Sequence, residues 1–133
     1  METRTHAAYE IKLSDRRCPS RRALDLITDR WTPLVIFLLS DGPCRYTQLK
    51  RQIGGITQKM LTQTLRKLED EGLATRTVYP TSPPSVEYAL TPLGETLREP
   101  IQQLLHWSRS YGLQMRSTRE VAKSDEERRK DPE

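Results

Sequence analysis

Between Cys44 and Leu68 the chain carries Arg45, Lys50, Arg51, Lys59, Arg66 and Lys67 and not one Asp or Glu. The whole chain of 133 residues sets 22 Lys and Arg against 18 Asp and Glu, a formal net charge of +4. This window therefore holds more positive charge than the chain as a whole. Phosphate neutralisation needs such a local excess, because each neutralised phosphate releases condensed counterions. In the same window Gln58, Lys59, Thr62, Gln63 and Arg66 fall on one side of a helical repeat, with Met60, Leu61, Leu65 and Leu68 on the other. The polar set can hydrogen-bond base edges, Gln matching adenine and Lys or Arg matching guanine. The plain alternative is a solvated helix face.

A second chemistry belongs to the two cysteines, Cys18 and Cys44. Cys18 stands at a predicted helix start among Arg16, Arg17, Arg21 and Arg22, where the helix dipole and the cations both favour the reactive thiolate. The alternative is a small apolar residue packed in an interface. Cys44, beside Arg45 at another predicted helix start, is a second candidate. Two cysteines are too few for a disulfide framework, and with His6 and His106 they show no metal-ligand spacing, so no metal is expected. No nucleophile–base pattern and no glycine-rich phosphate loop occurs. Neither an enzyme nor a cofactor is expected.

The elements that must position these residues follow from periodicity and punctuation. Pro19 opens a helix to Ile27 with Ala23, Leu24 and Ile27 on its apolar face. Thr32 is read as an N-cap, with Pro33 starting a second helix to Leu39 that the Gly42-Pro43 pair ends. A third helix is read over 45–53, with Tyr46, Leu49 and Ile53 at helical spacing, then a Gly54-Gly55 turn. Thr57 caps a fourth helix to Glu71, and Gly72 suits a left-handed C-terminal cap. The period then changes to two over 74–79 and 86–90, giving two strands joined by a proline-rich loop too stiff to pair. Thr91 and Pro92 open a last helix with Leu93, Leu97, Ile101, Leu104, Leu105, Tyr111 and Met115, and Pro100 should kink it or mark its true start. Helices followed by a two-stranded hairpin and a closing helix make an α+β, mostly α, winged helix-turn-helix with flanking N- and C-terminal dimerisation helices. The fourth helix is then the reading helix, whose N-terminal half meets bases.

Three regions are expected: a flexible basic arm over 1–17, a folded domain over 18–116, and a charged, disordered tail over 117–133. Hydrophobic residues are only 35% of the chain, and a small domain gains by burying apolar surface against a second copy. Leu97, Ile101, Leu104, Leu105 and Tyr111 are read as the homodimer interface. Trp31 and Trp107 are read as core or interface aromatics. No apolar run is long enough to cross a membrane, and no secretory signal is evident, so a cytoplasmic location is expected.

Several blocks are familiar together. Cys18 with Pro19, then Arg30, Trp31 and Thr32, then Gly42 and Pro43 with 45–49, resemble the HxlR-type branch of the MarR-like winged-helix regulators. So do the stretches 55–62 and 83–94, and the resemblance spans 18–112. It implies a dimer that binds double-stranded DNA at a palindromic operator. It also implies, for some relatives, sensing of oxidants or reactive small molecules through the cysteine corresponding to Cys18. Ser85 departs from the pattern, standing where relatives often carry Arg or Lys at the wing tip.

The candidate DNA contacts are thus Arg45, Tyr46, Arg51, Thr57, Gln58, Lys59, Thr62, Gln63, Arg66 and Arg76, with Cys18 the candidate sensor. Three rivals stay open: a protein–protein winged-helix module, an architectural protein indifferent to sequence, and an oxidoreductase using Cys18.

Overall fold

A computed structural model describes residues 14–130. The expected N-terminal arm lies outside the described residues except for 14–17. The chain runs α1 (Pro19–Ile27), α2 (Thr32–Leu39), β1 (Cys44–Arg45), α3 (Tyr46–Gln52), α4 (Gln58–Asp70), β2 (Ala74–Tyr79), β3 (Ser85–Leu90), α5 (Pro92–Glu95) and α6 (Arg98–Lys130). This is the expected winged helix-turn-helix.

The core forms around α2, which is apolar on nearly every side, as a central helix must be. Val35, Ile36 and Leu39 are buried there against Leu49 of α3, Leu61, Leu65 and Leu68 of α4, and Ile101 of α6. Thr32 is not the N-cap that the sequence suggests. It is the first helical residue, wholly buried, and the cap position falls to Trp31 without a side-chain bond. Asp29 serves this helix start instead, its Oδ2 accepting from the Trp31 N–H at 3.2 Å and from the Thr32 hydroxyl at 3.3 Å.

The third helix also begins later than expected. Cys44 and Arg45 form a short strand, pairing antiparallel with Tyr88 and Glu87, so the sheet has three strands in the order β1-β3-β2. Two residues are too few for an alternation to show in the sequence, and the pairing is set by β3 lying alongside. The hairpin register runs from Ala74 opposite Leu90 to Tyr79 opposite Ser85. Gly72, at φ +75°, turns the chain from α4 into β2 in a conformation that favours glycine.

Pro100 marks a true start. The short α5 ends at Glu95, and Pro100 lies in the first turn of α6, where its missing N–H has no intrahelical partner to lose. The helix continues to Lys130, past the point where a disordered tail is expected. From 116 to 130 there is no Gly or Pro, and Glu, Lys, Arg and Ala are good helix formers. The composition still tells: residues 123–130 are exposed throughout.

Candidate nucleic-acid interface

The helix-turn-helix pair is built by caps at both helix starts. At α3 the Gln48 side chain reaches back, its Oε1 accepting from the Arg45 N–H at 3.0 Å. At α4 the Thr57 hydroxyl accepts from the Met60 N–H at 3.1 Å, the expected cap. Ile53 and Ile56, both buried, anchor the turn between them. With its inner face fixed by Leu61, Thr64, Leu65 and Leu68, α4 presents Gln58, Lys59, Gln63 and Arg66 to solvent.

The inner face holds one surprise. Met60, grouped by hydrophobicity with the buried side, is 40% exposed, while Thr64 is buried with its hydroxyl donating to the Met60 carbonyl at 2.9 Å. At about 100° per residue, Thr64 lies roughly 60° from Leu61 around the helix axis and Met60 about 100°, further round on the same side. Angle decides the placement, and hydrophobicity alone misleads. Met60 therefore joins the exposed surface near the start of the reading helix.

Arg45 on β1, Arg51 and Lys50 on α3 and Arg76 on β2 are all exposed. Of these, Arg45 and Arg76, with Arg66 of α4, place cations around a groove of about 1040 Å³ between the helix and the wing, while Lys50 and Arg51 lie outside its lining. Arg45, Arg66 and Arg76 line it, with Tyr46, Thr62 and Tyr88 at its base and the loop residues Thr81–Ser85 along the wing side. Glu69 and Asp70 line the same groove towards the C-terminal end of α4, so positive charge dominates only towards the N-terminal half. Burial raises the Tyr88 pKa, opposed by its hydrogen bond to Arg76. That phenol stays neutral beside the Arg76 guanidinium.

Two of the named residues are tied to the protein itself. Tyr46 is half-buried, and its hydroxyl lies 3.2 Å from the Gln58 carbonyl and 3.1 Å from Thr62 Oγ1. Thr57, similarly, commits its hydroxyl to the cap.

Cys18 is at the N-cap position of α1, as expected, and is buried at 9% exposure. Arg16, Arg17 and Arg22 around it are exposed. Cys44 is half-buried, and burial, then the charge of Glu87, push its thiol pKa up, against a smaller opposing effect of the Arg45 backbone. The thiolate is disfavoured at Cys44.

The residues named for a dimer interface divide in two. Ile101 is 2% exposed and belongs to the core of its own chain, and Leu97 and Leu105 are partly buried against that core. Leu104 and Tyr111 are about half exposed, and Trp107 and Met115 lie with them at helical spacing. Trp107 and Tyr111 stack at 5.6 Å between ring centroids. Sequence periodicity finds the apolar positions of α6 but not which of them its own domain covers. Among the described residues no helix is long and apolar enough to cross a membrane, and no group of three or more His, Cys, Asp and Glu gathers as a metal site.

The comparisons with known proteins converge on this architecture. A model of the HxlR-like helix-turn-helix matches residues 26–116. The uncharacterized HTH-type transcriptional regulator YtfH of Escherichia coli (strain K12) is 45% identical over 98 residues, covering 74% of this chain and 78% of that protein. The solved structure of ytfH from Salmonella typhimurium, described as a transcriptional regulator, aligns with a TM-score of 0.75 at 41% identity, covering 84% of this chain and 99% of that one. The redox regulator HypR in its oxidized form aligns with a TM-score of 0.65 at 40% identity, covering 70% of this chain and 96% of that one. The chain belongs to the HxlR-like helix-turn-helix family and is a DNA-binding transcriptional regulator of the winged-helix type.

Proposed function

We propose that the protein acts as a homodimer on a palindromic operator in double-stranded DNA, and that modification of Cys18 by oxidants or reactive small molecules releases it. The observation that carries this reading is the exposed, acid-free face formed by α3 and the N-terminal half of α4. Gln58, Lys59 and Gln63 read base edges there, joined by Arg66 further along α4, while Arg45, Arg51 and Arg76 hold phosphates. The exposed row of Leu104, Trp107, Tyr111 and Met115 on α6 supports a second copy as its cover. In such a dimer the two α4 helices enter successive major grooves about 34–36 Å apart, one turn of B-DNA.

The regulatory part rests on Cys18 at the start of α1 among exposed arginines, and on the likeness to a protein described as a redox regulator. A path from α1 to the reading helix exists in the Arg22–Glu71 contact at 3.4 Å, Glu71 being the C-cap of α4. Both side chains are largely exposed, so this pair by itself couples weakly. Displacement of α1 as a packed body is the stronger route, limited by how differently the modified thiol sits in the bound and released arrangements.

The test is operator binding before and after a mild oxidant, a quinone and an aldehyde, with thiol modification followed by mass. Wild type and Cys44→Ser should lose affinity once modified, and Cys18→Ser should not. Wild type retaining its affinity with Cys18 modified removes the sensing role.

A further inference from the structure

The hydroxyl pair between α3 and α4 has a fixed direction, and that direction bears on which bases α4 accepts. Tyr46 has one hydroxyl hydrogen. The Gln58 carbonyl, 3.2 Å away, can only accept, so that contact is a hydrogen bond only if Tyr46 donates to it. With its hydrogen committed, Tyr46 can meet Thr62 Oγ1 at 3.1 Å only as an acceptor. Thr62 must then be the donor. Its own single hydrogen points back into the protein, and what remains for the groove is lone pairs and a methyl group. Both contacts are satisfied in this one arrangement and in no other.

We infer that Tyr46 is a positioning residue which makes Thr62 an acceptor-only reader, selecting bases that offer a hydrogen-bond donor in the major groove. Those donors are the exocyclic amines, N6 of adenine and N4 of cytosine. Thr62 is half-buried and lines the groove one helical turn from both Gln58 and Arg66. A free threonine hydroxyl rotates to suit either kind of partner, so without Tyr46 the residue would discriminate little. The inference deepens the DNA-reading role proposed above and rests on it.

The experiment selects binding sites from a random duplex library with the full chain and with Tyr46→Phe, Thr62→Val and Thr62→Ser, all first shown to be folded by circular dichroism and thermal melting. Wild type and Thr62→Ser should prefer A or C over G or T at one position of each half-site, by about fivefold, the worth of one hydrogen bond. Tyr46→Phe frees the Thr62 hydrogen and should bring the four bases within about twofold at that position, leaving preferences elsewhere unchanged. Thr62→Val, isosteric without the acceptor, should lose the same preference. If wild type selects a defined site but Tyr46→Phe retains every preference, or blurs all positions alike, the polarity inference is overturned while DNA reading stands. If wild type selects no site at all, the proposed function falls, and this inference with it. A Tyr46→Phe chain that fails to fold leaves Thr62→Val and Thr62→Ser to decide: equal preferences in the two contradict the acceptor role.

Discussion

Gln63 and Lys59 differ from Arg51 in what they can tell apart. An amide or ammonium at a base edge meets a different donor and acceptor pattern at each base pair, whereas a guanidinium at a phosphate meets the same anion everywhere. Replacing Gln63 or Lys59 with Ala should therefore change which operator is preferred, costing about 1–3 kcal/mol of discrimination where a paired contact is lost. Arg51→Ala should weaken all sequences alike and reduce the magnitude of the log–log salt slope by about 0.9. Competition binding against specific and random duplexes separates the two behaviours, and equal losses on both for Gln63→Ala would contradict base reading. At this scale the sequence is legible in residue type but not in commitment. Gln58, Lys59, Gln63 and Arg66 can be read from offsets along one helix. The engagement of Tyr46 with Thr62 cannot, since it joins two helices 16 residues apart. The same holds for Cys44: its neighbour Arg45 suggests a reactive thiol, whereas burial and Glu87, brought alongside by β3, keep it protonated.

At the scale of elements, local signals were enough wherever the chain punctuates itself. Pro19, the Thr57 cap, Gly72 and the change to a two-residue period each mark a boundary that needs no distant partner. The capping of α2 by Asp29 is local as well, spanning two and three residues; what local signals miss is tertiary in origin, as in β1, which is made by pairing with β3. The junction of wing and α5 is another case. Thr91 donates through its hydroxyl to the Gly72 carbonyl at 2.6 Å and caps α5 by accepting from the Gly94 N–H at 3.0 Å. Gly94 is buried so close to the Leu73 carbonyl that a Cβ would collide with backbone on that side. Gly94→Ala should cost about 1–3 kcal/mol of stability, read as a lower midpoint in chemical denaturation with an unchanged slope. An unchanged midpoint would mean that the junction opens freely.

For the whole molecule, the apolar row on α6 is the feature that a single copy leaves unexplained. Leu104, Trp107, Tyr111 and Met115 are each about half exposed or more, and aromatic side chains contribute heavily to association when covered. Trp107→Glu combined with Leu104→Glu should give a folded monomer by light scattering at micromolar concentration. That monomer should bind a half-site but lose the gain from engaging both half-sites at once. An unaltered mass would place the dimer contact elsewhere. The central claim, that the acid-free face of α3 and α4 reads sequence in duplex DNA, is tested most directly by one titration. The full chain is titrated against its selected operator and against a shuffled duplex of equal length and composition, over a series of salt concentrations. Affinity for the operator should exceed that for the shuffled duplex by about a thousandfold or more near physiological salt, both weakening as salt rises. Equal affinities at every salt concentration, or no binding to either duplex, would contradict it.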